Sequence, residues 1–526
     1  MSVGRETDCL IIGGGIAGLS TASRLADRGK RVTVIAAGKD LSHCNSFYAQ
    51  GGIIYESLSH DSKSLKQDIQ EAGCHINYEP AVDQLVEMGP EMVRRVLLDK
   101  AHVEFDRDAE GEWLRTREGA HSENRILHRG DESGKAIQSA MIQLVGGLKN
   151  VEVLTEHTAV NLLMTSFHST DRSRLHEPAR CFGAFVFDQN AKRVEPIFAR
   201  HTVLATGGIG QLFLHNTNSK FSRGDGIALA HRAGCRLENL EYVQFHPTTF
   251  YHPKSTRFLI SEALRGEGAV LINDRGERFA KKYLPEYEIP ELAPRDRVAQ
   301  AIHQEVLSTG APCVYLDISH KDAGWIRERF PFVYGSCLKV GVDITREPIP
   351  VLPGAHYHCG GVWVDLEART TIPRLWAVGE VSCTGVHGAN RLASTSLLEG
   401  LVWGVRAAEA IASDLETNTP LRFPDIYPWQ AESAVADPSF LHQDWLMLKH
   451  TMWNYVGLIK TDSRLRRAEG ILGELSEGID KFYRRAALSD ELIGLRQAVL
   501  VSQLILNACK RNQKSKGCYL RGELEI

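Results

Sequence analysis

Apolar runs alternate with glycine-rich turns at the start of the chain, and this pattern predicts a strand, a helix and a second strand. The apolar run Asp8–Ile12 is typical of a buried strand, and Leu19–Ala26 has helical composition that ends before Gly29. A second strand pattern follows at Arg31–Ile35. This order is that of a parallel βαβ unit, so we predict an α/β fold built on a doubly wound sheet.

Two later apolar runs, Thr202–Gly208 and Leu375–Glu380, also end in glycine loops. We predict that both are core strands that deliver a loop to a ligand. They lie about 170 residues apart, so a large segment is inserted between them. The candidate insertion is 238–353, where short helical patterns are mixed with His, Arg and Glu.

The composition changes once more after about Leu415. Pro420, Pro424 and Pro428 indicate a linker. Beyond it, Phe440–Lys510 has helical periodicity and few glycines. We therefore expect a small helical domain at the C-terminal end of the chain.

Length, composition and charge exclude several classes of protein. The chain has 526 residues, of which 43% are hydrophobic and 24% charged, which is ordinary for a globular protein of several domains. Disorder and small disulfide scaffolds are therefore excluded. The formal net charge of −4 shows no excess of positive charge of the kind that binds nucleic acid or an anionic membrane.

The eleven cysteines are odd in number, scattered, and never spaced as CxxC. This pattern favours a reducing compartment over a disulfide framework or a zinc site. No basic segment precedes an apolar signal-like run, and no stretch approaches 18 apolar residues. We expect a cytoplasmic protein without a transmembrane helix and without a bound metal.

The first candidate site is the glycine-rich turn after the first strand, Gly13-x-Gly15-x-x-Gly18. Such a turn lets the backbone approach a pyrophosphate, which the following helix N-terminus stabilises. The turn predicts FAD or NAD(P) binding; the alternative is a purely structural glycine turn. Ala36 and Ala37 stand where an acid normally binds ribose hydroxyls, which weakens the NAD alternative. The candidate residues here are Gly13, Gly14, Gly15, Ile16, Ala17 and Gly18.

Four further segments carry residues suited to a flavin, although each one alone is more often structural. Asn45–Gly52 combines small and amide side chains with a Gly-Gly pair that admits a planar ring. Asp225 and Glu380 each place a carboxylate on a glycine loop, where it suits sugar or ribityl hydroxyls. Ser396 and Leu397 begin a helix whose N-terminus can stabilise negative charge on a reduced flavin. The first segment comprises Asn45, Ser46, Phe47, Tyr48, Ala49, Gln50, Gly51 and Gly52.

Further motifs carry a family resemblance. They are Phe47–Gly52, Gln244–Thr248, Glu262–Gly268, Ala293–Asp296, His356–Gly361 and His387–Arg391. The chain resembles the fumarate reductase/succinate dehydrogenase flavoprotein family from Asp8 to about Arg467, and more weakly beyond. The resemblance implies a Rossmann-like FAD-binding domain (1–237 and 354–419), an inserted α+β capping domain (238–353) and a C-terminal helical domain (420–526).

Two positions refine what the resemblance implies. Membrane-bound members attach flavin to a histidine at the position of Asn45, and His43 lies two residues too early, so non-covalent FAD is expected. The segment Arg117–Ser122 is similar to that of the branch whose glutamate, here Glu118, meets a substrate ammonium. That branch oxidises L-aspartate to iminoaspartate and passes electrons to oxygen, giving hydrogen peroxide, or to fumarate, giving succinate. Its product feeds quinolinate and NAD synthesis, and quinolinate synthase is a candidate partner.

The resemblance also implies the roles of the site residues. His246, Ser261, His356 and Arg391 would bind the two carboxylates, which agrees with the preference of carboxylates for Arg and other donors. Arg295 is implied in proton transfer, with Glu262 and Arg265 as a supporting charge pair or proton route.

Some positions depart from the pattern of that branch. Ser261 stands where threonine is usual, and Thr395 stands where asparagine is usual. Three alternatives therefore stay open: a divergent amino-dicarboxylate oxidase, a soluble fumarate reductase-like flavoprotein, and a flavin-binding scaffold with a decayed site.

Overall fold

The structure is a computed structural model that describes residues 4–59, 62–253, 258–417, 422–430, 432, 434 and 437–522. Its strands are β1 (Arg5–Ile12), β2 (Val32–Ala36), β3 (Ile53–Ile54), β4 (Arg115–Thr116), β5 (Ile126–Leu127), β6 (Val151–Thr155), β7 (His157–Met164), β8 (Cys181–Asp188), β9 (Arg193–Leu204), β10 (Leu237–Glu238), β11 (Val243–Phe250), β12 (Val270–Ile272), β13 (Val314–Asp317), β14 (Ile349–His358), β15 (Gly361–Trp363), β16 (Leu375–Ala377), β17 (Ser382–Cys383), β18 (Ile459–Lys460) and β19 (Leu520–Arg521).

The α-helices of the same residues are α1 (Ile16–Asp27), α2 (Asn45–Tyr48), α3 (Ser62–Ala72), α4 (Glu79–Met92), α5 (Ser133–Gly146), α6 (Thr165–His168), α7 (Asp225–Arg232), α8 (Glu262–Gly266), α9 (Ala280–Tyr283), α10 (Arg295–Thr309), α11 (Ala323–Arg329), α12 (Pro331–Leu338), α13 (Thr395–Thr417), α14 (Pro438–Val456), α15 (Asp462–Tyr483) and α16 (Asp490–Arg511). A π-helical segment, Val93–Leu98, continues α4.

The main sheet has the strand order β6-β2-β1-β9-β8-β7, and β16 also pairs with β9. The pairs β1–β2, β1–β9, β2–β6 and β9–β16 are parallel, while β7, β8 and β9 form antiparallel pairs. The predicted opening βαβ unit is therefore confirmed, with β1 and β2 paired in parallel from Cys9 to Ile12. The two later strand predictions correspond to the end of β9 and to β16. The α/β fold class is confirmed.

The predicted insertion carries its own sheet, with the order β11-β14-β13-β12 and antiparallel pairing throughout. A separate apolar cluster runs through it, from Phe250 to Val351. Helix α10 packs on this sheet through the buried side chains of Val298 and Ile302. The boundaries at 237/238 and 353/354 stay predictions.

The C-terminal part is helical, as α14, α15 and α16 pack on one another. Their apolar residues join the same continuous core as the main sheet. Pro420 and the predicted boundary between 419 and 420 lie outside the described residues. The eleven cysteines all lie within them, and every one is unpaired.

Helix α16 is long and apolar enough to cross a membrane by length and composition, which the sequence analysis did not anticipate. In the structure 72% of its most apolar window is buried inside the protein. It packs on α15 and α7. A helix that is apolar around most of its circumference is expected in the core of a large protein, and α16 has that position.

Candidate active site

A cavity with about 1660 Å³ of empty space, its mouth included, opens at the carboxyl ends of the parallel strands. Its wall includes Ile12, Ala36, Ala205 and Val378, which end or follow β1, β2, β9 and β16. Ligands of open α/β sheets bind at this edge. The predicted cofactor residues that line the cavity are Gly13, Gly14, Gly15, Ile16, Ala17, Asn45, Ser46, Tyr48, Ala49, Gln50, Gly51, Gly52, Asp225, Glu380, Ser396 and Leu397.

Gly18 and Phe47 are the two predicted cofactor residues that do not line the cavity. A Cβ on Gly18 would lie 2.2 Å from the carbonyl oxygen of Gly13. This glycine therefore allows close packing between helix and turn. The Phe47 ring packs edge-on against Tyr48, with ring centroids 5.6 Å apart.

The turn between β1 and α1 is built for a close backbone approach. Gly13 has φ +121°, and a Cβ there would lie 2.1 Å from the carbonyl oxygen of Ala205. Gly15 is the N-cap of α1 and offers no side-chain acceptor to the first turn. The N–H of Ile16 donates to Ser46 Oγ at 3.1 Å, and the N–H groups that follow it in the first turn can face a phosphate.

Several buried polar atoms of cavity-lining residues have no hydrogen-bond partner within the described part of the chain. They are His43 Nδ1, Arg391 Nε and three oxygens, Asp225 Oδ1, Asn218 Oδ1 and Gln50 Oε1. All three oxygens are acceptors, and buried acceptors normally find donors. Ribose, ribityl and ring N–H groups of FAD supply such donors. The phosphate turn and these acceptors together fit FAD.

Asn45 connects three loops at the cavity wall. Its amide donates to Glu380 Oε2 at 3.1 Å, and its Oδ1 accepts from Ser219 N at 2.9 Å and Ser222 Oγ at 3.0 Å. Glu380 Oε1 accepts from the backbone N–H of His358 at 3.1 Å. Burial raises the pKa of Glu380 to about 7. This carboxyl is therefore partly protonated near neutral pH.

Arg295 lies between two carboxylates. Its Nε donates to Glu262 Oε2 at 2.6 Å, and its Nη2 is 3.7 Å from Glu118 Oε1. Burial opposes the charge of Arg295, but Glu262 and Glu118 outweigh it and raise the pKa of the guanidinium. Burial likewise opposes the charge of Glu262, yet Arg295 and Arg265 keep its pKa well below the ordinary value. Both partners are therefore ionised.

His246 and His356 lie side by side, with ring centroids 5.3 Å apart. Burial, followed by the charge of Arg295 for His246 and of Arg391 for His356, lowers both pKa values well below 6.5. Both rings are therefore neutral. His246 Nδ1 accepts from the backbone N–H of Thr248 at 3.2 Å, so Nε2 carries the proton. That Nε2 is buried and has no partner in the described residues.

Arg391 lies with its Cζ 4.6 Å from the ring centroid of Tyr357 and its Nη1 3.3 Å from Ser396 Oγ. The Tyr357 hydroxyl donates to Glu399 Oε2 at 2.8 Å, and His387 Nε2 lies 3.0 Å from the same oxygen. This buried network fixes the ring on which Arg391 rests.

Four predicted catalytic residues line the cavity, namely Glu118, Arg295, His356 and Arg391. His246 is not among the lining residues; it is fully buried beside His356. Ser261 does not line the cavity; its Oγ accepts from Ala263 N at 3.3 Å as the N-cap of α8.

Sequence reasoning gave no catalytic or binding role to Ser394, Tyr357, His387 or Asn218, although Tyr357 and His387 stand in motifs that it singled out. Ser394 Oγ donates to Glu118 Oε2 at 2.6 Å. Tyr357, Asn218 and Ser394 line the cavity. An uncharged side chain inside a motif gives no signal of its own, because its role comes from a partner far away in sequence.

Comparison with known proteins shows the family of the chain. The FAD binding domain family model matches residues 8–397. An L-aspartate oxidase of Pseudomonas aeruginosa is 41% identical over 532 aligned residues, which cover 99% of this chain and 96% of that protein. The chain belongs to the L-aspartate oxidase family. L-aspartate oxidase 1 of Ralstonia nicotianae is 42% identical and covers 97% of this chain and 94% of its own length.

The chain shares its fold with a fumarate reductase. A quinol fumarate reductase chain of E. coli has a TM-score of 0.86 at 26% identity and covers 98% of this chain and 91% of that chain. The sequence identity of this chain to the L-aspartate oxidase of Pseudomonas aeruginosa is therefore higher than its identity to this reductase. The predicted FAD cofactor and the predicted family are confirmed.

Proposed function

We propose that this protein oxidises L-aspartate to iminoaspartate with non-covalent FAD. The observation that carries the proposal is that the Glu118 carboxylate, 3.7 Å from Arg295, lines the same cavity as Arg391 and the His356 ring. A substrate with two carboxylates and one ammonium matches that charge pattern. A dicarboxylate without the ammonium would leave Glu118 facing like charge.

The residues divide the binding of L-aspartate between them. Arg391 and the neutral rings of His356 and His246 are the donors for the carboxylates, since guanidinium groups and N–H groups bind carboxylate oxygens well. Glu118 accepts from the ammonium. Ser261 contributes its hydroxyl at the edge of the same site when the inserted domain closes on the substrate.

FAD is held by Gly13–Ala17, by Asn45–Ser46 and Tyr48–Gly52, and by Asp225, Glu380 and Ser396–Leu397. When bound, it supplies the two-electron acceptor for a hydride. The protein binds and orients the substrate Cα–H toward that acceptor and excludes water around it. Over one cycle, L-aspartate loses two electrons and two protons, and oxygen is reduced to hydrogen peroxide or fumarate to succinate.

Arg295 is the proton-transfer residue in the fumarate direction. An arginine ordinarily stays protonated, and here its two carboxylate partners strengthen that preference. It can still pass a proton to a carbon centre if Glu262, 2.6 Å from its Nε, helps to replace that proton. Arg265, 3.7 Å from Glu262 Oε2, extends the charged chain away from the cavity.

We further propose a cytoplasmic location and a role in the first step of quinolinate and NAD synthesis, with quinolinate synthase as a candidate partner. Eleven unpaired cysteines support the reducing compartment. Many L-aspartate oxidases from bacteria support the pathway. Oxygen and fumarate are both proposed as electron acceptors.

The test uses the purified, FAD-loaded protein. With L-aspartate in air, hydrogen peroxide should form in equal amount to the oxidised amino acid, which hydrolyses to oxaloacetate and ammonia. Under argon with added fumarate, succinate should replace peroxide. A protein that makes neither product from L-aspartate would refute the proposal.

A further inference from the structure

Ser394 lies at a contact between two loops that are far apart in sequence. Its hydroxyl donates to Glu118 Oε2 at 2.6 Å, across 276 residues of chain. One loop follows β4 and carries Glu118; the other precedes α13 and also carries Arg391. Ser394 is buried and lines the cavity.

The backbone of Ser394 is in the left-handed region, with φ +57°. A residue with a Cβ pays roughly 1–2 kcal/mol for this conformation, and glycine avoids that cost. A serine at this position therefore carries a conformational penalty. The interaction that the serine side chain makes in this strained conformation is the hydrogen bond from its hydroxyl to Glu118.

A second hydrogen bond ties the same loops together. His121 Nε2 lies 3.0 Å from the carbonyl oxygen of Ala393. Burial lowers the pKa of His121, so the ring is neutral and Nε2–H donates to that carbonyl. The backbone N–H of His121 donates to Glu118 O at 3.2 Å. The two loops thus form one unit around the Glu118 carboxylate.

The position of that carboxylate is not the one its charge alone favours. Arg295 Nη2 is 3.7 Å from Glu118 Oε1, longer than a direct charged hydrogen bond. Coulomb attraction pulls the carboxylate toward the guanidinium. The hydrogen bond from Ser394 opposes this movement because it holds the other oxygen, Oε2, on the loop before α13.

We propose that Ser394 is a positioning residue for substrate specificity, which holds Glu118 away from Arg295 and so keeps its carboxylate available to a substrate ammonium. Without this contact, Glu118 and Arg295 would close into a direct ion pair. The site would then bind plain dicarboxylates better than amino dicarboxylates. The inference rests on the proposed function, and it deepens the role of the same site.

The test compares Ser394→Ala with wild-type holoprotein in two steady-state assays, L-aspartate oxidation in air and fumarate reduction by an artificial donor. The ratio of the KM for L-aspartate to the KM for fumarate should rise about tenfold or more, as expected for loss of a hydrogen bond to a charged group. The flavin content of each variant is measured first. A general structural defect would raise both KM values together, leave the ratio unchanged and overturn the inference.

Ser394→Gly is the matched control for the backbone. Glycine also removes the hydroxyl, but it adopts φ +57° without strain. If the contact matters, glycine should raise the KM ratio as much as alanine does. If glycine restores the wild-type ratio, backbone conformation is the cause and the inference is overturned.

A double-mutant cycle tests whether Ser394 acts through Glu118. In a Glu118→Gln background, Ser394→Ala should change the KM ratio by less than about twofold, since the contact partner is already altered. If Ser394→Ala changes the KM ratio as much in the Glu118→Gln background as in the wild type, the inference is overturned. A wild-type protein that does not oxidise L-aspartate would overturn the proposed function and this inference together, whereas an active wild type with an unchanged Ser394→Ala ratio overturns this inference alone.

Discussion

Arg295 and Glu262 form a buried ion pair, with Nε donating to Oε2 at 2.6 Å. Arg295 opens α10 and Glu262 opens α8, so the pair joins two helices of the inserted segment at the cavity edge. The same guanidinium reaches Glu118 on the other side. The pair therefore connects the inserted segment to the site on the main domain.

Glu262→Gln should slow fumarate reduction strongly, because the route that returns a proton to Arg295 loses its carboxylate. We expect kcat to fall by about 100-fold, the lower end of general acid–base effects. Breaking a buried ion pair should also destabilise the protein by roughly 3 kcal/mol. Steady-state rates and urea unfolding measure both effects.

Glu267→Gln is the control for that variant. Glu267 lies five residues further along, at the C-cap of α8, where its side chain is 38% exposed and lies 3.5 Å from Arg329 Nε. Exposed pairs contribute little, so unfolding should change by less than about 1 kcal/mol. Equal loss of activity in both variants would argue against a proton route through Glu262.

Glu118→Gln separates the two half-reactions. The change keeps the shape and removes the negative charge, so the substrate ammonium loses its partner. We expect kcat/KM for L-aspartate to fall roughly 100-fold, about 2.7 kcal/mol, as for a truncated buried charge pair. Fumarate reduction should fall much less, because fumarate has no ammonium. Equal losses in both reactions would contradict the role of Glu118.

Glu380 should make the stability of the FAD-free protein depend on pH. Burial raises the pKa of this carboxyl to about 7 in the folded state, whereas it is about 4.3 in an unfolded chain. The folded state binds the proton more tightly, so the stability that Glu380 contributes is fully present below the unfolded pKa and is lost as pH rises through about 7.

Glu380→Gln should therefore reduce the loss of Tm between about pH 5 and pH 8, because the neutral amide has no proton to lose. Asp296, whose pKa burial raises to about 6, should leave part of the slope in place. Calorimetry of both proteins in the FAD-free state measures the difference. If the dependence of Tm on pH is the same in both proteins, ionisation of Glu380 does not reduce the stability of the folded state.

Gly13→Ala should abolish FAD binding, since the added Cβ would lie 2.1 Å from the carbonyl oxygen of Ala205. Gly29→Ala is the control in the same βαβ unit. Gly29 has φ +69° but no atom within 4 Å of an added Cβ, so it should cost only about 1 kcal/mol and keep its flavin. The ratio of flavin to protein absorbance measures FAD content in both variants.

The sequence predicted the opening βαβ unit because its three elements are adjacent and each has its own periodicity. It also predicted the two strands that end at the cavity, β9 and β16. It did not predict the sheet β11-β14-β13-β12, whose strands pair over as many as 115 residues of chain, from Val243 to His358. Such pairing depends on contacts that local patterns do not contain.

The site likewise combines residues that the sequence indicated with residues whose role depends on tertiary contacts. The family resemblance indicated Glu118, Arg295, His356 and Arg391, which line one cavity in the structure. Ser394 was not indicated, because its left-handed backbone and its bond to Glu118 depend on tertiary structure. Helix α16 is the opposite case, because its local sequence resembles a membrane span whereas the structure buries the helix in the core.

The most direct test of the central claim is anaerobic. The FAD-loaded protein is mixed with L-aspartate while the visible flavin absorption is followed, after acid has been shown to release the flavin from a separate sample. The account predicts that L-aspartate bleaches the flavin and that fumarate or air restores it. If L-aspartate does not bleach the flavin, while fumarate reoxidises the dithionite-reduced protein, the site is that of a fumarate reductase and the claim is contradicted.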